Sequence, residues 1–344
     1  MHSRLATFPD TAHASASSPG PVCPLCGGAA FDPHAHVADA NFSRRITSFD
    51  VLRCRNCGLA IMQPPPTPRD LDELYLEDRV FSKTFPNPNT GRLFFRNLET
   101  LYARHGLYYE FVARRCLHFL SPRRAEPAIL DIGCSTGRLL GAFRRLRPAA
   151  RLRGVDIDPD ARQAAPPDIA PLITTGDVFD VDLSERFDII TMCFIIEHLL
   201  DFRPDLTRAV RLLAPGGVLC LSTPDLDSAK ARRLGARWRL LSDPRQKLGH
   251  LRWFNRSSLT RLARRQRLEI LDLRNRGELL YHLHPLLQRI LRTLLGTFPA
   301  PSGARFIRNY QLRLLWAVFF DGLLAQRLGY GDSLFLFARK RGAR

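Results

Sequence analysis

Two cysteine pairs, Cys23-Pro24-Leu25-Cys26 and Cys54-Arg55-Asn56-Cys57, stand 27 residues apart. Four thiolates at this spacing close a tetrahedral zinc site, and Gly27, Gly28 and Gly58 supply the tight turns such knuckles need. Because all four ligands are cysteine, no coordination position stays open, so the expected ion is structural rather than catalytic. The competing use of CxxC, a redox couple, usually stands alone near a βαβ unit. Cys116, Cys134, Cys193 and Cys220 lie in apolar or turn contexts that suit packing, with Cys134 also expected to line a ligand site.

A second constellation runs Ile129-Leu130-Asp131-Ile132-Gly133-Cys134-Ser135-Thr136-Gly137, an apolar strand, then a turn of small residues, then a helix beginning near Arg138. Small residues let a ligand approach the backbone closely at the carboxyl end of a strand, where open α/β sheets bind their ligands. About twenty residues further on, Gly154-Val155-Asp156-Ile157-Asp158 reads as a second strand ending in an acid. A carboxylate in that position accepts hydrogen bonds from both hydroxyls of a ribose. The turn alone is a weak signal, and its pairing with a correctly spaced acid is a much stronger one.

These groups need a scaffold, and the chain between residues 128 and 221 has the texture of one. Short apolar runs ending in acidic residues or glycine alternate with helical stretches, as in a parallel sheet covered on both faces. The pattern predicts strands at 128–132, 152–156, 187–193 and 218–222, then at 268–273 and 333–338. Ser257-Ser258 opens a helix whose apolar face carries Leu259, Leu262 and Ala263. Upstream, Leu71, Leu74 and Tyr75, then Phe94, Leu98, Leu101 and Tyr102, recur at helical steps. The expected partition is a disordered lead-in at 1–20, a zinc-binding knuckle at 21–66 closed by Pro64-Pro65-Pro66, a helical bridge at 67–125, and an α/β domain at 126–344. Amphipathic stretches at about 279–330 read as a helical insertion before the last strand.

Composition narrows the class. At 344 residues with 45% hydrophobic side chains, the chain can bury a sizeable core and carry an added unit. The first residues lack a secretory pattern, and the best apolar run, 312–325, is broken by Arg313 and Asp321 and is too short to span a bilayer. A cytoplasmic setting with reduced thiols is therefore expected. The formal charge of +18 is unevenly spread: residues 1–225 hold 26 basic and 26 acidic side chains, whereas 226–344 hold 25 and 7. The whole excess lies in the last third, nearly all of it arginine, and a solvated basic surface accounts for it as readily as a binding face.

From about residue 127 to 224 the sequence resembles the class I S-adenosylmethionine-dependent methyltransferases, in their ubiquinone-biosynthesis-like branch. The resemblance rests first on Asp131, Gly133 and Gly137, with Ser135 where the middle glycine usually stands. It continues through Asp156, Gly176-Asp177-Val178, the run from Phe187 to Cys193, Glu197-His198-Leu199 and Leu213-Ala214-Pro215-Gly216-Gly217, in that order. A nicotinamide enzyme would share the first turn but not the Leu-Ala-Pro-Gly-Gly element. The resemblance implies a Rossmann-like, seven-stranded, doubly wound α/β sheet and S-adenosylmethionine as cofactor. It implies that Gly133, Cys134, Ser135 and Gly137 hold the methionine portion, Asp156 and Ile157 the ribose side, and Asp177 and Val178 the adenine, with Asp131 and Cys193 lining the same site.

For chemistry, an acidic acceptor needs a base, and His198 and His250 are the candidates, with Glu197 beside them. His250 lies in Gly249-His250-Leu251-Arg252-Trp253-Phe254, which resembles a histidine-plus-aromatic element of the family. Some relatives hold a divalent metal with a comparable Glu-His pair and a later histidine. Here the further upstream glutamate of those RNA-end-methylating enzymes is replaced by Phe194 or Ile195. A third reading gives Glu197 and His198 a structural role at the strand end. Three acceptor readings follow from the basic third: an anionic small molecule such as a phosphorylated or nucleotide-linked sugar, a lipid-linked acceptor met at an anionic membrane surface, and RNA held by the knuckle and arginines. The aromatics Trp316, Phe319 and Phe320 fall at helical spacing, which disfavours RNA stacking.

Overall fold

The computed structural model describes residues 20–38, 40, 42–74, 107–121, 124–182, 184–241, 249–276 and 331–341. The lead-in up to residue 19, the helical pattern from Tyr75 to Tyr102 and the expected insertion at 279–330 lie outside them, as does most of the basic, amphipathic segment. No helix among the described residues is long and apolar enough to cross a membrane.

The main sheet has seven strands: β4 (Ala128–Ile132), β5 (Arg151–Asp156), β6 (Ile173–Thr175), β7 (Phe187–Cys193), β8 (Leu213–Pro224), β10 (Leu268–Arg276) and β11 (Ser333–Lys340). Their order is β10-β11-β8-β7-β4-β5-β6. β4 pairs in parallel with both β5 and β7, and β11 runs antiparallel to its neighbours β8 and β10. The expected doubly wound architecture is thus present. Its direction reverses between β4 and β7, and a crevice opens at the carboxyl ends of strands around such a switch point.

The central strands are buried along their length, as two-sided coverage requires: every residue of β4 is buried, as are the first six of β7. On one face, Ile129, Ile189, Val218, Phe335 and Phe337 meet Val112, Ala113 and Cys116 of α2 (Leu107–Phe119) and Leu139 and Phe143 of α3 (Arg138–Leu146). On the other, Leu130, Ile132, Ile190, Leu219 and Leu336 meet Phe202 and Leu206 of α5 (Phe202–Leu212) and Leu259 and Leu262 of α7 (Arg256–Arg265). Helix α5 begins where the Asp201 carboxylate accepts from the Arg203 N–H, and α7 where Asn255 and Ser258 cap each other.

Three departures from the sequence reading have local causes. β6 has only three residues, of which Ile173 alone is buried, so it leaves no periodic signal. The Leu-Ala-Pro-Gly-Gly element precedes the strand expected at 218–222 but lies inside β8: Leu213 pairs with Phe187 and Val218 with Ile189, so the Pro-Gly-Gly stretch forms a bulge. Gly217 fits because a Cβ there would press on the Ala214 carbonyl at 2.9 Å.

The third departure concerns the cysteine-punctuated segment, where strands that the sequence reading did not place form a sheet. β1 (Phe31–Val37), β2 (Phe49–Cys54) and β3 (Ala60–Gln63) form an antiparallel meander, followed by the short α1 (Pro68–Asp72). The fourth strand is β9 (Arg252–Trp253), contributed from far along the chain: Ala60 pairs with Trp253 and Ile61 with Arg252. One face of this ribbon joins the main core through Leu25, Leu59 and Ile61. The other packs Phe49, Val51, Met62 and Trp253 against Trp238 and Leu251.

Candidate functional site

At the switch point, β4 delivers Asp131 into the turn 133–137 and β5 ends on Asp156. Gly133 and Gly137 both take φ of 70°, the left-handed region, and a Cβ on either would overlap Ile195 or Ile169 respectively. Ser135 also has positive φ, 47°, and its N–H donates to Asp156 Oδ2 at 2.6 Å. The Asp158 N–H donates to Asp156 Oδ1 at 2.9 Å. Asp156 therefore fastens the turn to the neighbouring strand while keeping lone pairs free for hydroxyls. Burial raises its pKa, and these two N–H groups pull it back.

Asp131 is buried beneath the turn and accepts from Thr191 Oγ1 at 2.6 Å; burial pushes its pKa up to about 7. On the far side of Asp156, the Asp177 carboxylate caps a single helical turn at Val178–Asp180, accepting from the Phe179 N–H at 2.6 Å. Ile157 and Phe179, which directly follow Asp156 and Val178, stand 56% and 49% exposed, two large apolar side chains left in solvent. Val178 and Cys134 turn inward: the thiol of Cys134 packs with Leu140, Ile169 and Ile173, against Gly154. The Cys193 thiol faces Cys220 and Tyr108; the Cys220 contact and burial push its pKa up, against a pull from the Tyr108 hydroxyl.

The turn after β7 carries the second group. Phe194 takes φ of 56°, and His198 N–H donates to the Ile195 carbonyl at 2.9 Å. Glu197 is fully buried, and neither carboxylate oxygen makes a hydrogen bond of good geometry, although the Thr223 hydroxyl and the backbone of Glu197 lie near enough to ease its charge. The ligand atoms of Glu197, His198 and His250 all lie within 4.8 Å of one another, and the two imidazoles meet edge-on at 4.8 Å between centroids. His198 Nδ1 is 3.0 Å from the Gly249 carbonyl and His250 Nδ1 2.8 Å from the Leu240 carbonyl. A carbonyl only accepts, so each Nδ1 carries the proton and each Nε2 presents a lone pair. Burial holds His198 well below its ordinary pKa, with the charge of His250 adding to it, and takes His250 down to about 4. Both rings are neutral at pH 7, and at that pKa His250 is a weak base.

Burial raises the Glu197 pKa to about 8. A folded-state value above the ordinary ~4.3 means that folding favours the protonated carboxyl, a stabilisation complete below ~4.3 and lost as pH rises toward 8. The metal-free protein should therefore melt at lower temperature at pH 8.5 than at pH 5.5, and Glu197→Gln should flatten that fall. An equal fall in the variant, by scanning calorimetry, contradicts it.

The four cysteines converge at the base of the ribbon. Sγ of Cys23 lies 3.5 Å from that of Cys57, Sγ of Cys26 lies 3.5 Å from that of Cys54, and all four fall within 4.8 Å of one another. A tetrahedron with ~2.3 Å metal–sulfur bonds has edges of roughly 3.8 Å, so the donor set fits zinc. The two knuckles share one backbone form: Gly27 N–H donates to the Cys23 carbonyl and Gly58 N–H to the Cys54 carbonyl, at 2.8 and 2.9 Å, with both glycines near φ of 75°.

This ribbon is tied to the segment bearing His250. The Met62 N–H donates to the Leu251 carbonyl at 3.1 Å, and the Leu251 N–H to the Glu197 carbonyl at 2.9 Å. Arg53 pairs with both Asp227 oxygens at 2.7 and 2.9 Å, and Asn255 reaches the same carboxylate at 2.8 Å. Thr191 and Arg252 were not singled out from the sequence: Thr191 is one apolar-strand residue among many until β7 is paired beside β4, and Arg252 is one arginine among many until its partners are known.

Comparison with known proteins agrees with this geometry. Residues 103–273 match the family described as a methyltransferase domain. The ubiquinone biosynthesis O-methyltransferase of Nitrobacter winogradskyi is 37% identical over 100 residues, 28% of this chain and 38% of that protein. The dTDP-4-amino-2,3,4,6-tetradeoxy-D-glucose N,N-dimethyltransferase of Saccharopolyspora spinosa is 35% identical over 96 residues, 26% of this chain and 38% of that protein. A solved S-adenosylmethionine-dependent methyltransferase from Archaeoglobus fulgidus overlaps with a TM-score of 0.43 at 14% identity, over 71% of this chain and 98% of that one. The chain thus spans 38% of the length of these two curated relatives. The match covers the strands and turns on both sides of the switch point, and residues 103–273 form a methyltransferase domain of the class I S-adenosylmethionine-dependent type.

Proposed function

We propose that the chain transfers the sulfonium methyl group of S-adenosylmethionine to an oxygen of a small-molecule acceptor, including sugar- or lipid-linked ones, in a biosynthetic pathway. The observation that carries this reading is a cofactor cradle opening beside the buried Glu197, His198 and His250 at adjoining strand ends. The named relatives act in ubiquinone biosynthesis and on a dTDP-linked amino sugar, which favours a small acceptor over RNA. In this reading the turn 133–137 receives the methionine portion, Asp156 the ribose hydroxyls and Asp177 the adenine amino group, while Ile157 and Phe179 cover the purine faces. Positioning then supplies much of the rate, because displacement at the methyl carbon needs acceptor oxygen, carbon and sulfur in line. The four cysteines hold a structural zinc that fixes the ribbon.

The unpartnered Glu197 oxygens favour one further role for the cluster. One carboxylate and two neutral imidazoles, each oriented through Nδ1 by a backbone carbonyl, form a donor set suited to a divalent cation. When bound, such an ion supplies Lewis-acid stabilisation to an acceptor oxygen losing its proton. Fractionated cell extract incubated with methyl-labelled cofactor tests the proposal. Label is expected in a small-molecule or lipid fraction, lost on chelation and restored by a divalent cation. Label confined to RNA contradicts the acceptor class, and label unaffected by chelation contradicts the cation.

A further inference from the structure

Arg252 is a cation in an unusual place. It is only 7% exposed, yet its guanidinium donates to neutral groups, the carbonyls of Leu199 and Leu200, the latter at 2.9 Å. Its flat face lies 5.0 Å from the Phe202 ring centroid. Burying a guanidinium against carbonyls costs desolvation that a neutral side chain would avoid, so the position calls for a reason. Its neighbours supply one. Leu199 and Leu200 follow directly on Glu197 and His198, Arg252 lies two residues after His250, and its backbone pairs with Ile61 of the ribbon.

We infer that Arg252 is a positioning residue: its two-pronged guanidinium clamps the turn bearing Glu197 and His198 onto the strand that follows His250, and so fixes the distance between these groups. Backbone bonds alone leave this joint thin. The Leu251 N–H to Glu197 carbonyl bond and the His198 ring to Gly249 carbonyl bond join the segments before the clamp, and Arg252 closes the joint beyond them at residues 199 and 200. Lysine cannot substitute fully, since one ammonium lacks the diverging planar donors that reach two successive carbonyls and does not stack on Phe202 in the same way.

Burial opposes the charge of the clamp, Asp201 at the start of α5 attracts it, Arg203 repels it, and Cys23 of the cysteine cluster adds a smaller attraction. A zinc tetrathiolate carries a net charge of about −2, so a loaded cluster adds to the attraction on this guanidinium. That part rests on the zinc reading, and the clamp itself does not. Through Arg252, the ribbon acts as a brace for the histidine pair and not only as an appended module.

Histidine-selective 15N labelling reads the joint without knowledge of the acceptor. Wild type should show two ring Nδ1–H signals of neutral, carbonyl-bonded imidazoles. Arg252→Gln is expected to keep zinc at the wild-type level and affinity for S-adenosylhomocysteine within about threefold, while the His198 and His250 ring signals shift or exchange away. Arg114→Gln, which removes an exposed arginine paired with Glu110 on α2, should leave them in place. Ring signals identical to wild type in Arg252→Gln overturn the proposal. If that variant loses zinc and cofactor binding together, Arg252→Lys decides: zinc retained with altered ring signals supports the clamp, and a spectrum unchanged from wild type overturns it. Wild type purified without zinc removes that added attraction and leaves the clamp to the same spectra.

Discussion

Replacing Asp156 with alanine should weaken S-adenosylmethionine binding by about 100-fold or more, the largest loss expected from a single side chain in the cradle. In the proposed complex its carboxylate accepts two ribose hydroxyls, each such charged hydrogen bond contributing ~1.5–3 kcal/mol, so the loss is about 3–6 kcal/mol. The same oxygens hold the Ser135 and Asp158 N–H groups, so alanine also releases the turn in its left-handed conformation. The fold should survive, because burial already opposes the charge on Asp156 and its removal relieves that cost. Calorimetric titration reads the affinity and a thermal melt the stability. A loss below about tenfold with an intact melt would mean that the ribose lies elsewhere.

The second large effect is expected from Cys23→Ser combined with Cys54→Ser, which removes a thiolate from each knuckle. Metal analysis should fall from one zinc per chain to almost none, and the melting temperature should drop by more than about 5 °C. The drop follows from how the ribbon is joined. Cys23, Cys54, Leu25 and Leu59 are buried in the same cluster as Phe254, Leu259 and the strands of the main sheet, so a loosened ribbon uncovers that core. It also frees β9 and the residues just before it, including His250. Zinc content unchanged after purification would defeat the assignment of these thiolates.

The sheet and the cofactor turn were legible because their signals are local. The buried runs of β4 and β7, the glycines at 133 and 137, and an acid at the end of β5 each announce themselves within a few residues. What escaped is tertiary. β9 is two residues long and acquires its meaning only from Ala60 and Ile61, nearly two hundred positions earlier, so the strands of this four-stranded sheet were not placed from sequence. Glu197 and His198 stood out as candidates, but the unpartnered Glu197 carboxylate oxygens and the depressed pKa of His250 come from burial that no spacing reveals. The same holds for Arg252, whose partners are carbonyls.

Titration of the purified chain with S-adenosylmethionine by isothermal calorimetry tests the central claim most directly. The account predicts saturable binding of one equivalent with a dissociation constant in the micromolar range, about −8 kcal/mol, weakened by about 100-fold or more in the Asp156 variant. Absence of any binding heat at millimolar cofactor would contradict it.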